Sequence, residues 1–310
     1  MDFLQTRLFR PAIVHLANAR PVKAMLTRSG PGRAVARRFV AGETLADALA
    51  VARDLSTTGV AAMLNHLGEN VETPQDALVA REAYLAEIAA AEANPSLDVM
   101  VSVKLTQLGL DDSVDACWAN VMPILDAAQP AGLDVMIDME SHAYVDRSFE
   151  VLRMACGRSQ RTGIAIQSAL RRSADDVFSL PEGCRIRLVK GAYLEPDEVV
   201  VGKKREVDGA FRQLFSTVLG RGHRVDVATH DPELLDGIRE RVDDAGAWSR
   251  VELQMLYGVR RDLQVRYAGQ GYPVRVYIPY GTEWYPYLTR RLAERPANLW
   301  FFLSNLVRTR

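Results

Sequence analysis

Eight short apolar runs, rich in β-branched residues, recur along this chain, and amphipathic helical patterns fill the intervals between them. The runs are "VAAMLNHLGE" from Val60, "DVMVSVKLT" from Asp98, "LDVMIDMES" from Leu133, "GIAIQSAL" from Gly163, "CRIRLVKGAY" from Cys184, "RVDVATHD" from Arg224, "RVELQMLYG" from Arg250 and "PVRVYIPYG" from Pro273. Among the helical intervals are "PQDALVAREAYLAEIAAAEA", "VDACWANVMPILDAA", "AYVDRSFEVLRMACGRSQ" and "PELLDGIRERVDDAG", and the last run feeds "WYPYLTRRLAER". This count and order predict an α/β fold, a (β/α)8 barrel of the TIM type, over residues 46–310. Additional N-terminal helices, residues 1–45, are expected to pack on it. "FVAGET" starts the helix that leads into the first strand, with Glu43 and Thr44 near its N-terminus.

Composition narrows the partners. With 38 Lys and Arg against 39 Asp and Glu, the net charge is −1, so there is no electrostatic reason to expect nucleic-acid binding. Cys117, Cys156 and Cys184 are scattered and form no CxxC or Cys/His cluster, which points to a reducing, cytoplasmic compartment and to no structural metal. No apolar run reaches the roughly 20 residues that span a bilayer. The segment from Phe3 to Gly42 carries eight Arg and Lys and no acid, but its apolar periodicity reads as folded helix rather than as a targeting peptide. A basic face at the inner surface of a membrane is the alternative.

Barrels of this type place their chemistry at the C-terminal ends of the strands. Polar residues gather there in the sequence: Asn65, His66 and Glu69, then Lys104, then Asp138, Glu140 and His142, then Gln167. Arg187 and Lys190 follow, then Thr229 and His230, Glu252 and Gln254, and finally Tyr277 and Tyr280. Charges embedded in buried strands need partners or a ligand. Lys104 reads equally as an ion-pair partner of Asp138. In "RLVKGAY", Arg185 and Arg187 point to one side of a strand, and Gly191 admits a close backbone approach; Arg187, Lys190 and the Gly191 and Ala192 amides suit an anionic ligand, a strand-end ion-pair network being the bland reading. His230 alone reads more readily as a structural histidine. Arg290 and Arg291, in an aromatic helix with Tyr287 and Glu294, are either a solvated face or a guanidinium pair braced by Glu294 and aimed at an anion.

Taken together, "RRFVAGET", "LNHLGE", "SVKLTQLGLD", "IDMESH", "RLVKGAY", "VATHD", "ELQMLYGVR" and "VRVYIPYGTEWYPYLTRRLAERPAN" resemble the proline dehydrogenase family in its short monofunctional bacterial form, over almost the whole chain. The resemblance implies an FAD across the barrel mouth, held by Met139, Gln167, Arg187, Lys190, Gly191, Ala192, Thr229 and His230. It implies a proline site of Lys104, Tyr277, Tyr287, Arg290 and Arg291, with Asp138 and Arg187 as active-site residues and Leu256 as a wall. The implied activity is FAD-dependent oxidation of L-proline to Δ1-pyrroline-5-carboxylate by hydride transfer to flavin N5. Electrons then go to a membrane quinone, and the product to a downstream pyrroline-5-carboxylate dehydrogenase. Two departures stand out: Gln167-Ser168-Ala169 where the family commonly has Gln-Ala-Tyr, and His230-Asp231 where it has His-Asn.

A paired guanidinium fork suits a small carboxylate, and Lys104 adds a point charge. Other chemistries on the same barrel are a metal-dependent hydrolase using Lys190, His230 and Asp138, and a Schiff-base aldolase using Lys190 or Lys104. The first strand has no His-x-His pair and the eighth ends "IPYG" without an aspartate, which disfavours the metal enzyme. The remaining class is a flavin-binding or amino-acid-binding barrel that has lost turnover, or a barrel serving only as an interaction scaffold, and a scaffold has no reason to converge buried charges on one mouth.

Overall fold

A computed structural model describes residues 36–68 and 71–294, except for the side chains of Arg290 and residues 292–294. The expected helices over residues 1–35, Glu69, the Arg290 and Glu294 side chains, and residues 295–310 therefore lie outside the described residues.

Eight parallel strands close into a barrel in sequence order. They are β1 (Ala61–His66), β2 (Val99–Val103), β3 (Val135–Ile137), β4 (Thr162–Gln167), β5 (Arg185–Val189), β6 (Arg224–Ala228), β7 (Val251–Leu256) and β8 (Val274–Tyr280). Helix α1 (Leu45–Ser56) precedes β1. One helix then follows each strand: α2 (Pro74–Glu92), α3 (Val114–Ala128), α4 (Val145–Arg158), a single turn α5 (Ser173–Asp176), α6 (Lys204–Gly220), α7 (Pro232–Ala245), α8 (Arg261–Gly269) and α9 (Trp284–Glu294). All eight expected strands are present.

The strand sequences alternate, and the barrel explains why. Val101, Val103, Ile137, Ile164, Ile186, Leu188, Val227, Leu253 and Ile278 belong to the apolar layer between strands and helices. The intervening residues point into the lumen, where aliphatic packing gives way to methionine and charge. Met63, Met100 and Met136 fill the centre against Tyr277. Below them Arg185 is bonded to Asp226 at 2.8 and 2.9 Å, to Asp134 at 2.7 Å and to Glu252 at 3.0 Å. Arg275 joins Glu252 at 2.8 Å and Asp98 at 2.9 Å. Gly163 leaves the room this layer needs, since a Cβ there would lie 2.6 Å from the Arg185 carbonyl and 2.8 Å from the Met136 methyl. Glu252, grouped with the mouth on sequence grounds, is thus corrected to the barrel base: it is the second residue of β7 and neutralises Arg185 and Arg275.

Caps fix where helices begin. Thr44 caps α1 in a reciprocal capping box with Asp47, in keeping with the helix start read at "FVAGET". Residues 36–40 pack through Ala36, Phe39 and Val40 on Leu67 and on Trp284, Tyr285, Tyr287 and Leu288. This cluster seats α9 beside the strand ends.

Candidate active site

Asp138 stands one residue beyond β3 and organises the mouth. Its Oδ1 accepts from Ser102 Oγ at 2.6 Å and from Arg187 Nη1 at 2.5 Å; its Oδ2 accepts from Lys104 Nζ at 2.7 Å and from the Tyr277 hydroxyl at 2.8 Å. These donors come from β2, its end, β5 and β8, so the carboxylate ties opposite sides of the barrel together. Burial opposes its charge, but Lys104 and Arg187 outweigh burial and hold the carboxyl well below the ordinary carboxylate range. Burial likewise opposes the charge on Lys104, and Asp138 overrides it, so the ammonium persists to well above its usual pKa. Tyr277 is pushed up by burial and by Asp138, and remains a neutral phenol.

Arg187 is equally constrained. Its Nε donates to Gln254 Oε1 at 3.0 Å and its Nη2 to Ser102 Oγ at 3.1 Å, while Nη2 also meets the Met63 sulfur. The guanidinium lies 5.5 Å from the centroid of the Tyr277 ring.

Above this floor opens a cavity of about 640 Å³. Lys104, Asp138, Met139, Gln167, Arg187, Lys190, Gly191, Ala192, Thr229, His230, Leu256, Tyr277, Tyr287 and Arg291 all line it. Every described member of the site read from the sequence therefore reaches one space. Six cationic side chains and three carboxylates line the cavity, an excess of three positive charges in a chain whose net charge is −1. Arg291 lies 5.3 Å over the Tyr287 ring, at the face of α9 that closes the mouth.

Other residues from the sequence inventory lie elsewhere. His66 sits outside the barrel wall, edge-on to Tyr280 at 5.5 Å and to Tyr84 at 6.4 Å. Tyr280 turns towards the buried Glu87 of α2. Asn65 donates to the Ser102 carbonyl, and Glu140 accepts from Thr106. His142 pairs with Glu195 at 2.5 Å, fastening the loop after β3 to the loop after β5. These residues brace the mouth without lining it. The opposite omission is Tyr193: it lines the cavity next to Gly191 and Ala192, and its place in "KGAY" was the signal that could have found it.

The two departures from the family pattern have local explanations. Asp231 caps α7, accepting from Glu233 N at 3.2 Å, and also binds Lys190 at 2.7 Å and Lys204 at 3.0 Å. Burial works against its charge, but the two lysines hold its carboxyl well below the usual range. Asn and Asp both cap helices, and only Asp adds the ion pairs. Lys190 also meets Asp208 at 2.6 Å, so the lysine expected to face an anion is shared with two carboxylates. Ser168 and Ala169 fasten the loop after β5: Ser168 N donates to the Val189 carbonyl, Ala169 N to the Lys190 carbonyl, and Val201 N to the Ala169 carbonyl, each at 2.8 Å. Gly191 has φ +131°, and a Cβ on it would lie 3.1 Å from the Ala169 methyl. His230 Nε2 accepts from Leu256 N at 2.9 Å, which assigns the ring proton to Nδ1.

Fold and mouth together define a (β/α)8-barrel enzyme with a preorganised, electropositive ligand cavity. The proline dehydrogenase family model matches residues 48–303. A proline dehydrogenase of Deinococcus radiodurans is 37% identical over 97% of this chain and 99% of its own length. Proline dehydrogenase 1 of Bacillus subtilis strain 168 is 37% identical over 92% of this chain and 93% of its own. Among solved structures, proline utilization A from Bdellovibrio bacteriovorus, inactivated by N-propargylglycine, superposes with a TM-score of 0.80 at 24% identity. That match covers 93% of this chain, which spans 36% of that longer protein. The chain belongs to the proline dehydrogenase family, in its monofunctional bacterial form, and is an oxidoreductase acting on the CH–NH group.

Proposed function

We propose that this enzyme oxidises L-proline to Δ1-pyrroline-5-carboxylate, using FAD as the hydride acceptor and a quinone as the final electron acceptor. The observation that carries the reading is the convergence of Lys104 and Arg187 on one ionised carboxylate, Asp138, at the floor of a cavity that Arg291 also lines and that carries excess positive charge. A small anion with an apolar ring fits that lining, and so does a dinucleotide bearing phosphates. The residues present suit a flavin: Gly191 and Ala192 offer backbone at the wall, Arg187 supplies a fixed cation on the floor, and about 640 Å³ falls within the range of cofactor sites. Met139, Gln167, Arg187, Lys190, Gly191, Ala192, Thr229 and His230 would hold it. When bound, the flavin supplies the acceptor for hydride leaving the ring carbon beside nitrogen.

The remaining work falls to the chain's own side chains. Arg291, together with Arg290, grips the substrate carboxylate, and Lys104 adds its charge to that grip. Tyr277 and Tyr287 flank the ring and limit its room. Only a neutral amine has the lone pair that forms the C=N bond, and a positively charged cavity favours the neutral amine over the ammonium. Asp138 stays ionised and Lys104 and Tyr277 stay protonated near neutrality, so none of the three takes that proton. The amine loses it to water or on entry. The same ion pair argues against a Schiff base at Lys104, because a permanently protonated amine is a poor nucleophile. Among the described residues no group of three or more His, Cys, Asp and Glu is placed to hold a metal ion.

No described helix is long and apolar enough to cross a membrane. Delivery of electrons to a quinone is read as a peripheral encounter of a cytoplasmic enzyme with the inner membrane face, and the product as substrate for a separate pyrroline-5-carboxylate dehydrogenase. The test is L-proline-dependent reduction of a soluble quinone, with mass spectrometry of the released chromophore. FAD and turnover support the reading. A colourless protein, or one that leaves the quinone oxidised, overturns it.

A further inference from the structure

Gln254 on β7 lies between the two charged layers of the barrel, and both ends of its amide are engaged. Its Oε1 accepts from Arg187 Nε at 3.0 Å, and its Nε2 donates to Glu252 Oε1 at 2.9 Å. The side chain lines the cavity and is 4% exposed. Glu252 in turn accepts from Arg275 at 2.8 and 3.0 Å and from Arg185 at 3.0 Å.

The direction of this amide is set by chemistry. Burial opposes the charge of Glu252, but Arg275 and Arg185 hold its carboxyl down to about 2, so it is an acceptor only. Gln254 must therefore turn its NH2 to Glu252 and its carbonyl to Arg187. The reverse orientation would set an amide N–H against the Arg187 Nε–H and a carbonyl against a carboxylate. A string of hydrogen bonds results, running from the ion-paired base of the barrel to the guanidinium at its mouth.

We propose that Gln254 is a positioning residue: it fixes the rotation of the Arg187 guanidinium about its Cδ–Nε bond, so that this cation faces the reacting end of the ligand in one orientation. Asp138, Ser102 and the Met63 sulfur meet the terminal nitrogens, and none of them reaches Nε. Gln254 is the described contact to Nε, and without it the guanidinium pivots about the Asp138 contact. The inference rests on the proposed flavin-dependent oxidation of L-proline, and its consequence is specific to the chemical step, because substrate affinity resides in Lys104 and the α9 arginines.

The test compares wild-type holoenzyme with Gln254→Met, which keeps the length and removes the acceptor, and Gln254→Glu, which keeps the acceptor and adds charge. Three quantities are read: the rate of flavin reduction at saturating L-proline, the L-proline concentration giving half that rate, and the midpoint potential of the bound flavin by reductive titration without substrate. Loss of a hydrogen bond to a charged group is expected to lower the rate in Gln254→Met by about tenfold or more. Its half-saturating concentration should change less than about threefold. The potential should move negative in both variants, further in Gln254→Glu, where the added carboxylate offsets the Arg187 charge. Wild-type rate and potential in Gln254→Met refute the inference, as does a purely affinity-based loss. If one variant fails to retain flavin, the other decides by the same readings. Should L-proline leave the wild-type flavin oxidised, the proposed reaction fails, while the potentials still report on Gln254.

Discussion

Lys104 Nζ and Asp138 Oδ2 lie 2.7 Å apart, both side chains nearly excluded from solvent, at adjacent strand ends of one barrel. Two buried opposite charges stabilise little on balance, but removing one partner strands the other at a cost of about 3–5 kcal/mol. Asp138→Asn is therefore expected to lower the thermal midpoint and to slow flavin reduction by about a hundredfold or more, because Arg187 loses its anchor as well. Melting curves and rapid-mixing traces check both effects together. Wild-type stability in Asp138→Asn would remove the basis for treating the carboxylate as an organising centre.

The same pair makes a statement about pH. Asp138 is depressed when folded, so its contribution is full above the unfolded carboxyl pKa and fades only as pH falls through the lower folded value. Lys104 is raised, so its contribution is full below the unfolded amine pKa and fades only as pH rises through the higher folded value. Neutral pH lies on the flat part of both. The rate of flavin reduction at low L-proline should therefore show one rising limb, from the substrate amine. An additional limb between about pH 5 and 8 that disappears in Lys104→Met would contradict this.

Glu87 carries a different pH signature. Fully buried beside Tyr280 in the wall outside the barrel, its carboxyl is pushed up to about 8 by burial, only partly countered by the tyrosine hydroxyl. A folded pKa above the unfolded one means stability is greatest below the unfolded pKa and is lost as pH rises to about 8. Glu87→Gln should abolish this decline and gain a few kcal/mol relative to wild type at pH 8 compared with pH 5. Parallel slopes of melting temperature against pH in the two proteins would show that Glu87 does not titrate in this window.

Arg291 lies over the Tyr287 ring and lines the cavity from α9. Arg291→Met should keep the fold and the yellow colour, yet raise the half-saturating L-proline concentration by about tenfold to a hundredfold, the worth of charge-assisted hydrogen bonds to a carboxylate. Stopped-flow titration reads this directly.

Gly191 tests the flavin wall. With φ at +131° and only 3.1 Å between an added Cβ and the Ala169 methyl, Gly191→Ala should shift the loop after β5. The expected outcome is a loss of bound flavin per chain at little change in overall melting temperature. Full flavin occupancy would place the cofactor elsewhere.

Much of this architecture is legible in the residues. Strand positions such as Val101, Ile164 and Leu253 declare the wall because one face of each strand must be apolar against a helix. Lys104, Asp138 and Arg187 declare the mouth because charge in a buried strand requires a counterpart. The sequence cannot reveal which layer a charge belongs to when a strand carries several. Glu252 and Gln254 are two residues apart and share a face, but only strand register puts one at the base and the other at the mouth. His66 and Tyr280 mislead for the related reason that residues at strand ends can turn either inward or towards the helices. Asp231 looks like a minor change from Asn until its cap and its two lysine partners are seen together.

The most direct test of the cationic mouth as the seat of imino-acid oxidation is an anaerobic titration of the purified protein with L-proline, followed in the visible flavin band. Complete bleaching is expected with L-proline and none in the absence of substrate, with markedly weaker bleaching at equal concentration in Arg291→Met. A flavin band that persists in excess L-proline, or that bleaches equally well in Arg291→Met, would contradict that assignment.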